Sequence, residues 1–223
     1  MTTGFIDINN SGKLELDFYF DFSCPWSYQA SIWLRDVVTL MGEDLVDLRW
    51  RFFSLAPLTN QDPNLSIWNE DGGKNVGLQA LLAGAAALKV GGQAGLGKFY
   101  QELGYLHFEE NLPLNLESIK VAAGKAGLNI SDLISTNDPS LFEEVKLSHA
   151  RGISEYGVAL PSTLIFEEKY GVHFHLNPHP PIDKVLPIFM HIQMLSMVEK
   201  NVFLIERLLD QEQKAEIKEF ENQ

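Results

Sequence analysis

The chain of 223 residues is long enough for one large domain, or for a domain that carries a sizeable insertion. Its hydrophobic content of 45% is that of a globular protein, and no apolar run approaches the roughly 20 residues of a membrane-spanning helix. The net charge of −13 argues against nucleic acid or an anionic membrane as the partner.

Two further features of the sequence bear on where the protein is found, namely its N-terminal segment and its cysteine content. Residues 1–13 lack both a basic segment and an apolar segment, which predicts a loose leader rather than a signal peptide. Cys24 is the only cysteine, so the chain can form no internal disulfide. A lone free thiol fits the reducing cytoplasm, which is where we expect the protein.

The first predicted strand, Leu14–Phe22, shows apolar and polar residues in alternation and runs directly into a helical pattern. Pro25 takes the first helical position, where a missing N–H costs nothing. Cys24 therefore lies at a strand-to-helix junction, where the N–H groups and partial positive charge of the helix stabilise a thiolate. We expect a nucleophilic thiol whose pKa lies below its ordinary value of about 8.5.

The segment Cys24-Pro25-Trp26-Ser27 has the frame of a C-x-x-C redox motif with serine in the second cysteine position. A dithiol can close its own disulfide, whereas a single thiol forms a mixed disulfide with another molecule or acts without redox change. Ser27 either fills the vacated position without chemistry or donates a hydrogen bond to the thiolate, because residues i and i+3 share a helix face. Trp26 either forms an aromatic wall for a substrate or packs under neighbouring helices.

Helix one is predicted from Pro25 to about Met41, with Gly42 as its end, and strand two over Leu45–Leu55. A strand, a helix and a strand of these lengths make a βαβ unit with parallel strands. Asp21 lies on the polar face of strand one and is predicted to face water. The alternative is a carboxylate that raises the pKa of the thiol or relays its proton.

A helical block follows. Residues 59–74 are polar, contain helix breakers and predict a long loop that covers the thiol together with the helices. Helices are predicted over Val76–Lys89, over Leu96–Leu106, from a cap at Asn115 to a stop at Gly127, and from Asp138-Pro139 to a stop at Gly157.

A β-hairpin is predicted next, with strands over Ser162–Phe166 and Val172–Leu176, and a helix follows over about residues 182–209. Pro161 opens the first of these strands, where it cannot donate to the ladder. Because cis peptide bonds are essentially a property of X-Pro, we predict that the Leu160–Pro161 bond is cis.

Three histidines raise the question of a metal site. His173 and His175 alternate with apolar residues in the second hairpin strand, and His179 follows that strand. No carboxylate or cysteine stands at ligand spacing around them, so the sequence predicts no metal site. His149 and His191 fall in helical runs and are interpreted as structural.

The element order is that of an α/β, thioredoxin-like fold (β-α-β … β-β-α) with an all-helical insertion. It divides the chain into a leader over 1–13, a discontinuous thioredoxin-like domain over 14–57 and 158–210, a loop plus helical insertion over 58–157, and a polar tail over 211–223. In this topology the thiol faces the start of the hairpin.

The opening Phe18-Tyr19-Phe20-Asp21-Phe22-Ser23-Cys24-Pro25-Trp26 resembles that of FrnE-type and mycothiol-dependent nitroreductase-like proteins, in the DsbA-like branch of the thioredoxin superfamily. Residues 157–163 resemble the G-V-x-x-P-T passage of the same group, and the resemblance spans about residues 14–205. It implies a nucleophile at Cys24, a cis-proline at Pro161, and a DsbA-type fold. It also implies a substrate groove, whose residues here are Pro25, Trp26, Leu160, Pro161 and Ser162.

The motif also resembles the S-P-Y-S or S-P-F-S of kappa-class glutathione transferases and 2-hydroxychromene-2-carboxylate isomerases, in which the serine polarises the thiol of glutathione. That branch carries a small residue followed by aspartate after the hairpin, where this chain has Asn177-Pro178-His179-Pro180-Pro181. From the DsbA-like redox members the chain departs at Ser27, where they carry a second cysteine.

Three functions stay open. The first is a single-thiol oxidoreductase or thiol transferase with Cys24 and Ser27 as catalytic residues. It would have no tightly bound cofactor and would use a small thiol of the glutathione or mycothiol type as co-substrate. The second is a kappa-type glutathione transferase or isomerase, and the third a non-catalytic binding module. The expected partner is a small thiol, an electrophile or a disulfide, and neither nucleic acid nor a membrane.

Overall fold

One four-stranded mixed sheet organises the residues that the computed structural model describes, which are 13–55, 76–130, 138–166 and 170–173. The strands are β1 Leu14–Phe20, β2 Val46–Phe52, β3 Thr163–Phe166 and β4 Tyr170–His173. They lie in the order β2-β1-β3-β4. β1 pairs parallel with β2 and antiparallel with β3, and β3 pairs antiparallel with β4. The predicted βαβ unit and hairpin thus join into one sheet through β1.

The helices are α1 Pro25–Met41, α2 Val76–Gly104, α3 Leu116–Lys125 and α4 Pro139–Tyr156, with a π-helical turn Tyr105–Glu109 after α2. Their ends follow the predicted signals. The side chain of Asn115 accepts the N–H of Ser118 at 3.0 Å, and that of Asp138 accepts the N–H of Ser140 at 2.9 Å. Gly157, with φ 64°, ends α4 in the left-handed conformation that glycine adopts without strain. None of the helices in these ranges is both long and apolar enough to cross a membrane.

Several predicted strand boundaries differ from the structure. β2 is Val46–Phe52 rather than Leu45–Leu55, and β3 begins at Thr163 rather than Ser162. β1 ends at Phe20 rather than Phe22, and β4 begins at Tyr170 rather than Val172, because Phe166 pairs with Tyr170. The two helices predicted as Val76–Lys89 and Leu96–Leu106 are confirmed as two helical segments of α2, which meet at Gly92, where φ 62° and ψ −163° are not helical. The predicted loop 59–74, strand residues 174–176 and helix 182–209 lie outside the described residues.

β1 is buried on both of its faces. On one face, the Phe20 ring lies 4.4 Å from the Tyr100 ring of α2. On the other face, the Tyr19 ring lies 6.3 Å from the Tyr156 ring of α4. Gly152 allows α4 to pack closely against β1, because a Cβ at that position would lie 2.7 Å from the Tyr19 ring. In a strand that is covered on both faces, the polar positions do not necessarily face water.

On the second face of β1, the buried carboxylate of Asp17 is stabilised by two arginine side chains. It is 1% exposed and receives Arg49 Nη2 at 2.9 Å and Arg51 Nε at 2.7 Å, both from β2. The parallel register sets Asp17 opposite Arg49 and brings Arg51 two residues further along. A buried carboxylate that is paired twice avoids the cost of an uncompensated charge.

Candidate functional site

Cys24 is the N-cap residue of α1, with φ −92° and ψ 112°. Its N–H donates to the Asp21 carbonyl at 3.2 Å, and its own carbonyl accepts the N–H of Tyr28 at 3.2 Å. The thiol therefore lies at the predicted strand-to-helix junction. Its side chain is only 3% exposed, so the junction lies inside the protein rather than at its surface.

The pKa of the Cys24 thiol is raised, and the prediction of a lowered pKa is wrong for this structure. Burial is the main cause, because it disfavours the anion, and the Asp21 carboxylate adds to it. The Ser27 hydroxyl and the backbone N–H groups of Ser27 and Trp26 lower the pKa. The donors expected at a helix N-terminus are therefore in place, but desolvation outweighs them.

Asp21 is also buried, at 1% exposure, which contradicts the prediction that it faces water. Its carboxylate accepts the Ser23 N–H at 2.7 Å, the Ser23 hydroxyl at 2.6 Å and the Leu55 N–H at 2.6 Å. Burial raises its pKa and these three donors lower it. Asp21 thus stands as the carboxylate neighbour of the thiol, which was the alternative reading of the sequence.

Two buried hydroxyls lie beside the thiol. Ser27 is 0% exposed and Tyr100 is 1% exposed, and neither hydroxyl has a hydrogen-bond partner among the residues that the structure describes. Ser27 is nevertheless close enough to lower the pKa of both the Cys24 thiol and Tyr100. Tyr100 belongs to α2, and no motif in the sequence pointed to it, since its place depends on how the insertion packs.

The segment before β3 meets the motif, as the topology predicts. Ser162 donates its hydroxyl to the Trp26 carbonyl at 3.3 Å and its N–H to the Tyr19 carbonyl at 2.8 Å. These bonds hold Ser162 at φ 69°, a conformation uncommon outside glycine. The Thr163 hydroxyl donates to the Leu160 carbonyl at 2.8 Å. The cis geometry of the Leu160–Pro161 bond stays a prediction.

The other groove residues differ in exposure. Pro25 is exposed, Trp26 and Leu160 are half-buried, and Pro161 is buried. A cleft of about 300 Å³ opens further along α1, between Tyr28 and Arg35 of that helix and Lys125 of α3. Cys24 does not line this cleft.

His149 is structural, as interpreted from the sequence. It is 7% exposed, and its Nδ1 accepts the Ser54 N–H at 3.1 Å. Burial lowers the pKa of His149 to about 4, so the ring is neutral at pH 7. Within the described ranges no group of three or more histidine, cysteine, aspartate or glutamate side chains could hold a metal ion, and His175, His179 and His191 lie outside those ranges.

Comparisons with known proteins agree with this architecture. Residues 15–155 match the sequence profile of the DSBA-like thioredoxin domain. An uncharacterized protein of Mycobacterium tuberculosis, Rv2286c, is 27% identical over 152 residues; the match covers 67% of this chain and 64% of that protein. The match thus spans slightly less than two-thirds of the relative's length.

Two solved structures show a similar fold. One is a 2-hydroxychromene-2-carboxylate isomerase, with 16% identity, a TM-score of 0.55, and coverage of 82% of this chain and 97% of that chain. The other is the cytosolic disulfide reductase DsbM from Pseudomonas aeruginosa, with 12% identity, a TM-score of 0.51, and coverage of 83% and 98%. The profile and these structures confirm the predicted fold with its helical insertion. Membership of the FrnE-type branch stays a prediction.

Proposed function

We propose, since the chain belongs to the DSBA-like thioredoxin domain family, that it is a thiol-disulfide oxidoreductase or thiol transferase in which Cys24 alone carries the covalent step. The Cys24 thiol first loses its proton to a base in solution. The sulfur anion then attacks one sulfur of a substrate disulfide, so that a mixed disulfide forms and the other substrate sulfur leaves as a thiolate. A small thiol of the glutathione or mycothiol type attacks the mixed disulfide and releases Cys24, and the substrate half leaves as a disulfide with the small thiol.

The observation that carries this proposal is the helix N-terminus at Cys24. The N–H groups of Trp26 and Ser27 both lower the pKa of the thiol, which is the arrangement that favours a sulfur anion. The position that could hold a resolving cysteine is occupied by Ser27. A hydroxyl cannot displace a mixed disulfide, so a second molecule must do so.

The buried thiol sets the pH dependence of the proposed reaction. The thiolate is the attacking species, and burial keeps most of Cys24 protonated at neutral pH. The rate of mixed-disulfide formation should therefore rise as pH increases above 7. A compartment rich in small thiols suits the second step, and we place the activity in the cytoplasm for that reason.

Intact-protein mass spectrometry with glutathione disulfide at several pH values tests the proposal. We expect one glutathione adduct on Cys24, formed faster at higher pH, stable until reduced glutathione is added, and absent in Cys24→Ala. Ser31→Ala is a matched control, because Ser31 is a buried serine of the same helix whose hydroxyl already donates to the Tyr28 carbonyl at 2.7 Å. It should form the adduct as the natural chain does.

Two other outcomes would reject the proposal. If glutathione binds and conjugates an electrophile such as 1-chloro-2,4-dinitrobenzene without ever forming the adduct, the protein is a kappa-type transferase. If the folded protein forms no adduct while the urea-unfolded chain does, Cys24 is inert in the native state and the binding-module reading stands.

A further inference from the structure

Three buried polar side chains lie close enough to act on one another, since Ser27 lowers the pKa of both Cys24 and Tyr100 and Cys24 raises that of Tyr100. Cys24 and Ser27 come from the first turn of α1, and Tyr100 comes from α2 in the helical insertion. Of the charges that raise the pKa of Tyr100, those of Cys24 and Asp21 come first after burial itself. The helical insertion thus supplies the phenol of Tyr100 near a thiol that belongs to the thioredoxin-like domain.

The position of the Tyr100 hydroxyl is fixed by its ring. The ring lies 4.4 Å from that of Phe20, 5.1 Å from that of Phe22 and 5.3 Å from that of Trp50. A ring enclosed by three aromatic neighbours cannot swing its hydroxyl towards water. The hydroxyl therefore has to find its partner inside the protein.

Neither the Ser27 hydroxyl nor the Tyr100 hydroxyl is satisfied among the described residues. The Ser27 Oγ and the Tyr100 OH are buried and accept or donate no hydrogen bond within the described part of the chain. Buried polar groups normally have a hydrogen-bond partner, so two unpartnered buried hydroxyls near one thiol need a physical explanation. A thiol is a weak hydrogen-bond acceptor, whereas a sulfur anion is a strong one, and a hydroxyl hydrogen can rotate to meet it.

We propose that Tyr100 is a positioning residue for Cys24: its hydroxyl donates to Ser27 Oγ, and Ser27 donates to the Cys24 sulfur once that sulfur is an anion. Two hydroxyls that are unpaired beside the thiol become paired beside the thiolate. The catalytic meaning of this relay rests on the proposed function, because an ionised Cys24 is both the attacking group and the group that leaves when the mixed disulfide is resolved.

The charged and titratable groups facing the relay come from each element around it. Asp21 contributes a carboxylate from the end of β1, which opposes the sulfur anion. Tyr28 of α1 acts on Tyr100 and raises its pKa. Since burial and Asp21 both disfavour the anion, the hydroxyl relay is the side-chain contribution that favours it.

The test is the pH dependence of alkylation of Cys24 by iodoacetamide in the folded, full-length protein. Tyr100→Phe keeps the ring and removes only the hydroxyl. We expect it to move the midpoint of the pH–rate curve upward by about one pH unit, so that alkylation below the midpoint is about tenfold slower, as loss of a charge-assisted hydrogen bond implies.

Tyr19→Phe is the matched control. Tyr19 is 0% exposed, and its hydroxyl also lacks a partner in the described ranges, but it lies on the opposite face of the sheet against Tyr156. A purely structural effect of losing a buried phenol hydroxyl would appear in both variants. The relay predicts a shifted midpoint in Tyr100→Phe and an unchanged one in Tyr19→Phe.

A double-variant cycle checks the order of the relay. Ser27→Ala should raise the midpoint as Tyr100→Phe does, and the double variant should shift it no further than Ser27→Ala. An unchanged midpoint in Tyr100→Phe, or shifts that add in the double variant, would overturn the proposal. Alkylation reports on the thiol without turnover, so these outcomes do not depend on whether the protein reacts with disulfides.

Discussion

The carboxylate of Asp21 accepts the backbone N–H of Leu55 at 2.6 Å, which joins the end of β1 to the segment that follows β2. The same carboxylate accepts two donors from Ser23 and raises the pKa of the neighbouring Cys24 thiol. One buried side chain thus holds the turn before the thiol and makes the thiol harder to ionise.

Asp21→Asn should separate these two effects. The amide removes the negative charge, so the pKa of Cys24 should fall and alkylation at pH 7 should become faster. The amide also turns an N–H₂ towards one of the three donors, which should lower the free energy of unfolding by about 1–3 kcal/mol. The measurements are the pH profile of iodoacetamide alkylation and urea unfolding.

Asp17→Asn is the control for this charge effect. Asp17 is equally buried and lies in β1, which ends one residue before Asp21, but it pairs with Arg49 and Arg51. Its substitution should destabilise the fold and leave the alkylation midpoint in place. An identical alkylation midpoint in Asp21→Asn and the natural chain would show that Asp21 does not act on the thiol.

His149 should make the protein less stable in mild acid. Burial lowers the pKa of His149 to about 4, against an ordinary value of 6.5, so the unfolded chain binds the proton more readily. The stability that the neutral ring provides is present above pH 6.5 and is lost as pH falls towards 4. The difference is on the order of 3 kcal/mol at most.

The check is the free energy of unfolding in urea at pH 7.5 and at pH 5. His149→Gln should be less stable than the natural chain at pH 7.5, and it should lose less stability between the two pH values. An equal pH dependence in His149→Gln would mean that His149 binds its proton as readily in the folded protein as in the unfolded chain, against the burial described here.

Gly97 should tolerate no side chain. A Cβ there would lie 2.6 Å from the indole Nε1 of Trp50, so Gly97→Ala should force α2 away from β2 and cost about 1–3 kcal/mol. Gly124 offers the contrast, because a Cβ at that position in α3 meets nothing within 4 Å. Gly124→Ala should stabilise the protein by about 0.5–1 kcal/mol through helix propensity. Thermal unfolding of both variants tests the pair, and similar effects in the two would contradict this packing.

Local signals predicted the helix ends well. Pro25, Asn115 and the Asp138-Pro139 step begin helices where the sequence places them, because capping depends on neighbours along the chain. The alternation of β1 predicted its pairing but not its burial. Asp21 was expected at the surface because the alternation of apolar and polar residues does not show which positions other parts of the chain will cover.

The site itself could be predicted only in part. The position of Cys24 at a strand-to-helix junction follows from local pattern, and so does the proximity of Ser27. The burial of the thiol, the direction of its pKa shift and the presence of Tyr100 do not. They depend on how α2 packs against the sheet, for which Gly84 and Gly97 are required and which no short motif encodes.

Ser27→Cys should turn the site into a dithiol. Ser27 is fully buried in the first turn of α1, three residues from Cys24, which is the spacing of a C-x-x-C pair. With glutathione disulfide as oxidant, the variant should form a mixed disulfide that the new thiol displaces, giving an internal disulfide and two molecules of reduced glutathione. Mass spectrometry should find a loss of two hydrogens and no glutathione adduct. Ser31→Cys adds a buried thiol on the same helix about 10 Å from Cys24, since each residue advances about 1.5 Å, and it should keep the adduct. A glutathione adduct that persists in Ser27→Cys would show that residues 24 and 27 do not have the geometry of a redox pair.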